Sequence, residues 1–309
     1  MGKYLRVVVG IGLLMGSACT DRQTEEAERM YYVASRDLEE ELKTLPEAIE
    51  RYGEIAERYP KTSAGKQARE RRRKLMEAQV LLADIDAVVD DSVIVLYRQA
   101  YAVVPDYLPV LRRLGKLYYD NTYYLSRTAA KLKSKKMADG VLRMWTEQDS
   151  IWSGYTFRHL PVDRKWRDRL CRQAVDVARM LQTFKRFDEA LEVVNRGIQY
   201  GAGEDVIARA RVFASYYAFC TQQSEDAIVL AGDALAYESL SDKDRARAYH
   251  VLGLGYMDMY QKTRELSDLD TAIEALNSSV RINPSSREVK KLLKTLRVKR
   301  QKLASRPAS

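Results

Sequence analysis

The residues of this chain that could do chemistry are two histidines, three cysteines and many carboxylates. His159 and His250 supply little material for a histidine-centred triad or a metal cage. Cys19, Cys171 and Cys220 show no C-x-x-C spacing and no zinc signature. No G-x-x-x-x-G-K, nucleophile elbow or H-E-x-x-H occurs. The glycine-rich "GAGED" at Gly201–Asp205 sits where one helical unit turns into the next and lacks the strand that a phosphate loop needs. Carboxylates on helix faces leave a Glu/Asp hydrolytic pair, as in a cell-wall hydrolase, as a distant alternative. The expectation is a protein with no catalytic residues, no cofactor and no metal.

Cys19 differs because of what precedes it. "MGKYLR" brings Lys3 and Arg6, "VVVGIGLLM" is a short apolar run, and "GSAC" sets small residues before the cysteine. The run is about half of what spans a bilayer, so it reads as a cleaved export signal over residues 1–18. The segment resembles a bacterial lipoprotein signal, in which the lipobox cysteine is diacylated and becomes the mature N-terminus. Gly16 stands where a leucine is usual, with Leu14 and Met15 upstream. The resemblance implies lipidation at Cys19; an ordinary signal peptidase acting at the same small residues would leave it a plain residue, and an uncleaved anchor is the remaining alternative. The later stretch "LLADIDAVVDDSVIVLY" is too rich in aspartate for a lipid-embedded helix. In an exported compartment Cys171 and Cys220 have two readings, a disulfide or two small core residues.

Elements that could position a binding surface are plainly helical. Only 7 prolines and 15 glycines punctuate 309 residues, and Lys plus Arg exceed Asp plus Glu by 52 to 43, a net charge of +9. A pattern recurs. Leu111, Leu114, Gly115 and Tyr118 stand at the same spacings as Tyr249, Leu252, Gly253 and Tyr256. A mid-helix glycine costs roughly 0.5–1 kcal/mol against alanine, so close helix packing is expected at both. These residues resemble the first helix of a tetratricopeptide repeat. The family's second helix has its counterpart in Ala48, Tyr52 and Pro60, in Ala272, Leu276 and Pro284, and more weakly in Val93, Tyr97 and Pro105. "FKRFDEALEVVNRGI" matches the family's tight turn and small residue, Ala190. "FASYYAFCTQQSEDAIVLAGDAL" supplies a further unit.

The resemblance implies an all-α, tetratricopeptide-like helical-hairpin solenoid. Repeats are expected over 19–125 and 168–304, with a short tail at 305–309. One long helix should run from about Ser63 into the late eighties. "MYQKTRELSDL" should lengthen the last hairpin. "SREVKKLLKTLRVKRQKL" should form a capping helix with Val289, Leu292, Leu293 and Leu296 inward. Residues 126–167 break the pattern and read as an irregular central insertion, with turns at Asp139–Gly140 and Leu160–Pro161. It holds all three tryptophans, Trp145, Trp152 and Trp166. Two readings stay open: aromatics packed between repeat blocks, or a contact patch.

In this family the inner, concave face is lined by first-helix positions. Here those are Arg112, Lys116 and Tyr119, then Arg172, Arg179 and Gln182, then Arg209, Tyr216 and Phe219, then Arg247, His250 and Met257. Such a groove suits an extended acidic or carboxylate-terminated peptide. The expectation is a lipid-anchored envelope scaffold facing the periplasm, at the outer membrane rather than the inner, that binds a protein and no nucleic acid. The repeat "LPEAIERYGEIAERYPKTSAGKQA" is also similar to outer-membrane barrel-assembly lipoproteins. Repeat-bearing partners of tripartite-transporter binding proteins are a further alternative.

Overall fold

The computed structural model describes residues 18–39, 44–85, 92–105, 107–158 and 164–305. The expected export signal and the Leu160–Pro161 break lie outside them, apart from Ala18. The described residues form thirteen α-helices and no strand: α1 (Ala18–Glu39), α2 (Leu45–Arg58), α3 (Ser63–Ile85), α4 (Ser92–Val103), α5 (Leu108–Leu132), α6 (Lys135–Arg158), α7 (Arg164–Thr183), α8 (Phe187–Gln199), α9 (Glu204–Cys220), α10 (Ser224–Leu235), α11 (Asp242–Thr263), α12 (Leu266–Ile282) and α13 (Arg287–Ala304). Cys19 falls in the first turn of α1. None of these helices is long and apolar enough to cross a membrane. The chain divides into two units within α5, after Leu114.

In the first unit α2 packs on α3 through small residues. Ala48, Tyr52, Ile55 and Ala56 of α2, its C-cap residue Tyr59, and Ala64, Ala68, Leu75 and Ala78 of α3 are all buried. Their helical spacing puts each set on one helix face. The α2 N-terminus is closed by Glu47, whose carboxylate accepts the Thr44 backbone N–H at 2.7 Å. The Tyr52 and Ser35 hydroxyls lie 2.9 Å apart, tying α2 to α1. The long helix expected from Ser63 is α3.

The second unit is built of hairpins α5/α6, α7/α8, α9/α10 and α11/α12, closed by α13. Each hairpin turns on one non-glycine residue in the left-handed region: Lys133 (φ 49°), Lys185 (φ 59°), Gln222 (φ 64°) and Arg264 (φ 64°). Three turns share one hydrogen-bond plan. Ser134, Arg186 and Gln223 donate their backbone N–H back to Ala129, Leu181 and Ala218 at 3.1, 3.1 and 2.9 Å. Their carbonyls accept from Ala138, Ala190 and Ala227 in the following helix. This is a Schellman-type helix end feeding straight into the next helix. A left-handed L-residue costs roughly 1–2 kcal/mol, so Gln222→Gly is expected to raise the stability of the second unit by about 0.5–1 kcal/mol. A urea midpoint unchanged or lowered would contradict that.

The shared turn corrects the irregular insertion. Residues 126–158 are the end of α5, one turn and α6, and the helix runs straight through Asp139–Gly140. Local turn propensity loses there because Ala138, Val141, Trp145, Gln148 and Trp152 repeat at helical spacing and all bury. Asp139 is held in an ion pair by Arg186 from the next hairpin. Gly140 faces open space, so the helix accommodates it. The expected lengthening of the last hairpin falls on α11 and α12 themselves, which Arg264 and Glu265 alone connect.

Both mid-helix glycines are close-packed. A Cβ on Gly115 would lie 2.3 Å from Cζ2 of Trp152, and one on Gly253 would lie 2.5 Å from Cγ of Leu276. Leu114 and Tyr118 are buried, and the Tyr118 hydroxyl donates to Glu147 at 2.6 Å. Leu252 is half-buried against the preceding hairpin and Tyr256 against its own hairpin and α13. Asn283 caps α12 and exposed Pro284 follows it, preventing continuation of the helix. On α13, Val289, Leu293 and Leu296 are buried with Leu292 beside them, while Lys290, Lys291, Lys294 and Arg297 are exposed.

Candidate functional site

Three first helices of the second unit, α5, α7 and α9, enclose a groove. One section has a volume of about 360 Å³ and is lined by Tyr119, Tyr123 and Arg127 of α5, Arg172, Asp176 and Arg179 of α7, and Asp205 and Arg209 of α9, with Gln173, Val175 and Val206. A second section, about 640 Å³, shares Arg127, Asp176 and Arg179 and continues to Gln182 and Thr183. Four arginines meet two aspartates, so the lining is basic.

Helical register explains the lining. Tyr119, Tyr123 and Arg127 lie four apart, on one stripe of α5, and Arg172, Asp176 and Arg179 lie four and three apart, on one stripe of α7. Gln173 fixes α7 beneath them. Its amide exchanges hydrogen bonds with the buried Gln148 amide at 2.7 and 3.1 Å and donates to the Tyr119 carbonyl at 3.3 Å. The two carboxylates hold their arginines loosely: Arg172 to Asp205 at 3.7 Å and Arg179 to Asp176 at 3.6 Å, all but Asp176 largely exposed. Exposed pairs of this length contribute about 0–1 kcal/mol, so their guanidinium N–H groups stay available.

Arg127 and Arg209 make no ion pair among the described residues. Each instead rests over a ring, Arg127 at 4.4 Å from the Tyr123 centroid and Arg209 at 5.9 Å from that of Phe213. An exposed cation–π contact contributes about 0.5–1 kcal/mol and holds the guanidinium in place without cancelling its charge. The groove thus presents two positioned, uncompensated cations, one on α5 and one on α9.

Of the residues expected on the inner face, the structure brings together Tyr119, Arg172, Arg179, Gln182 and Arg209. Arg112 is exposed on the α5 stretch of the first unit, and Lys116 is exposed on α5 but does not line the groove. Arg247 pairs with Asp244 at 3.0 Å and lies over Phe213 at 5.0 Å. Tyr216, Phe219 and Met257 are half-buried and pack against apolar clusters, Tyr216 and Phe219 among α9, α10 and α11 and Met257 among α11, α12 and α13, outside the groove lining. Burial pushes the Tyr216 hydroxyl up to about 12.

Tyr123, Arg127, Asp176 and Asp205 join the site without having been expected there. The signal for the first two is present in the sequence, since Arg112, Lys116, Tyr119, Tyr123 and Arg127 form one continuous helical stripe. That stripe runs past residue 125, where the repeat pattern stops, because α5 is longer than the first helix of a repeat.

His250 is half-buried, its Nε2 buried without a hydrogen-bond partner. Burial lowers its pKa from the ordinary 6.5, against a smaller opposing pull from Glu288. The folded chain therefore refuses a proton that the unfolded chain accepts at 6.5. That stabilisation is complete above 6.5 and is lost as pH falls from there through the lower folded value. His250→Gln is expected to flatten the fall in urea midpoint between about pH 7 and about pH 5; an unchanged slope would contradict this.

Trp145 and Trp152, each 3% exposed, are core residues and cannot form a contact patch. The α6 register turns them inward, Trp145 into the main core and Trp152 against Gly115. Trp166 is half-buried, edge-on to Trp152 at 5.4 Å and 5.3 Å from Tyr119. Cys171 and Cys220 are free thiols. Burial raises both, Cys171 to about 12.

No protein-family model and no curated protein matches the chain. Among solved structures it is similar to the crystal structure of BtubC (BKLC) from P. vanneervenii, at 15% identity and a TM-score of 0.41, covering 88% of this chain and 94% of that one.

Proposed function

We propose that this protein is a non-catalytic scaffold of the bacterial cell envelope, tethered by lipid at Cys19, whose tetratricopeptide-like hairpins hold an acidic segment of a partner protein in the α5–α7–α9 groove. The observation that carries the reading is the pair of uncompensated guanidiniums, Arg127 and Arg209, fixed over rings in one groove. An anion entering there gains charge-assisted hydrogen bonds without first breaking a strong internal pair. Two adjoining sections that share Arg127, Asp176 and Arg179 give room for an extended chain. Support for the tether is the basic, apolar and small-residue order of residues 1–19.

The test is photocrosslinking in the native envelope from a probe placed at Thr183, on the groove rim. The expected adduct maps to an acidic stretch of one partner and disappears in Arg127→Glu/Arg209→Glu. Adducts indifferent to the charge reversal, or mapping to neutral surfaces, would overturn the groove reading. A barrel-assembly component or a solute-binding protein in the adduct would name the complex. Separately, Cys19→Ser is expected to remove an acyl mass increment and release the protein from membranes; an unmodified wild-type Cys19 would sink the tether.

A further inference from the structure

We infer that the segment held in this groove alternates carboxylates with aromatic or proline rings; this rests on the acidic-segment reading above and adds a second recognition element to it. The α5 wall is a row of planes. Tyr119 and Tyr123 stack with rings 9° from parallel and centroids 6.4 Å apart. Arg127 lies over Tyr123 at the far end at 4.4 Å, and Trp166 adjoins Tyr119 at the near end at 5.3 Å, itself under Arg169 at 5.8 Å. Five flat groups therefore run in series: Tyr119, Tyr123 and Arg127 of α5 line the site, and Trp166 and Arg169 of α7 continue the row beyond its lining.

This row is only partly consumed by the fold. Trp166 is half-buried and Tyr119 is half-buried against the α7 side, its hydroxyl raised by burial. Tyr123 remains 37% exposed although it lines the groove. Tyr123 has the Tyr119 ring on one side and the Arg127 guanidinium on the other, and its exposed edge is a place where another ring gains edge contacts. Across the groove from it stand Arg172 and Arg209, on α7 and α9. In an extended peptide successive side chains point to opposite sides. One side would meet the aromatic wall and the other the guanidiniums. A polyanion without rings uses only half of the surface.

The test measures binding of three synthetic peptides of equal length to the full chain: alternating Glu-Tyr, alternating Glu-Gly and alternating Lys-Tyr. Fluorescence anisotropy of a label on each peptide gives the affinity. Glu-Tyr is expected to bind roughly tenfold tighter than Glu-Gly, the effect of one or two ring contacts, with Lys-Tyr failing to bind. Tyr123→Ala, which also releases Arg127 and so weakens both acidic peptides, should bring the ratio of Glu-Tyr to Glu-Gly affinity down to about one; Tyr123→Phe should retain the ratio. Equal affinity of the two acidic peptides, with their ratio unmoved by Tyr123→Ala, overturns this inference and leaves the acidic-segment reading standing. Failure of both acidic peptides overturns both. Binding of soluble cell-wall glycan fragments that displaces Glu-Tyr and is abolished in Tyr123→Ala would assign the aromatic wall to sugar and overturn the peptide assignment.

Discussion

Gly115→Ala lowers the stability of the second unit by about 2 kcal/mol, and Gly115→Val by about 4 kcal/mol. The added Cβ lands 2.3 Å from Cζ2 and 2.6 Å from Cε2 of Trp152, a distance that real Cβ atoms do not tolerate. The indole cannot yield easily. It is 3% exposed, rigid, and braced edge-on by Trp166 at 5.4 Å. Overpacking of this kind costs roughly 1–3 kcal/mol and more for a β-branched residue, against about 1 kcal/mol recovered from helix propensity. Gly140→Ala is the internal control, because a Cβ there meets nothing within 4 Å. It should gain about 0.5–1 kcal/mol from propensity alone. Gly253→Ala should fall between them, since Leu276 is a more flexible neighbour than an indole. Urea unfolding followed by far-ultraviolet circular dichroism ranks the three. Equal effects at Gly115 and Gly140 would mean that helix packing does not account for the glycine.

The second large effect concerns binding. Arg127→Glu/Arg209→Glu is expected to weaken capture of an acidic peptide about 100-fold, close to tenfold for each guanidinium replaced by a carboxylate. Neither residue has an internal ion pair to break, so the helical content should be unchanged and the unfolding free energy should fall by no more than the two lost cation–π contacts, about 1–2 kcal/mol together. The contrast is Arg172→Glu. It faces Asp205 at 3.7 Å and places two carboxylates together, so a smaller drop in affinity comes with a small drop in stability. The wild-type affinity should also fall as salt rises above about 0.15 M, where the screening length is about 8 Å. Undiminished binding by the double variant would show that the ligand ignores these cations.

Charge reversal and the glycine substitutions address different layers of the molecule, and those layers differ in how far the sequence reveals them. That α2, α3, α7, α8 and α13 are helices follows from apolar residues recurring every three to four positions, a property of one helix at a time. That mid-helix Gly253 meets a large residue was legible only through the resemblance to a repeat whose second helix carries one, at Leu276 here. Gly115 showed the need for a close neighbour but not its identity. Its partner is Trp152, a residue that the sequence presented as part of an irregular segment.

That segment shows where local reading stops. Asp139–Gly140 is a turn signal of real but small strength, about 1 kcal/mol. Burial of Ala138, Val141, Trp145 and Trp152 outweighs it, because full burial of each larger apolar side chain contributes about 1.5–3 kcal/mol. Only packing against α5 and α7 makes that burial available. The reversal at Lys133 is equally hidden, since its left-handed conformation is imposed by the backbone bonds of the Schellman turn and not requested by a lysine.

The amino-acid sequence alone determined helix, repetition and a surplus of exposed cations. Which of those cations share a groove was decided by tertiary structure. Arg127 and Arg209 come from helices separated by three others in the chain, and they stay without an ion pair because Asp176 and Asp205 lie against Arg179 and Arg172 after stacking. Periodicity constrains a side chain's direction about its own axis to within a fraction of a turn. The partner across the gap is set by how hairpins nest, and that is a sum over contacts distant in sequence.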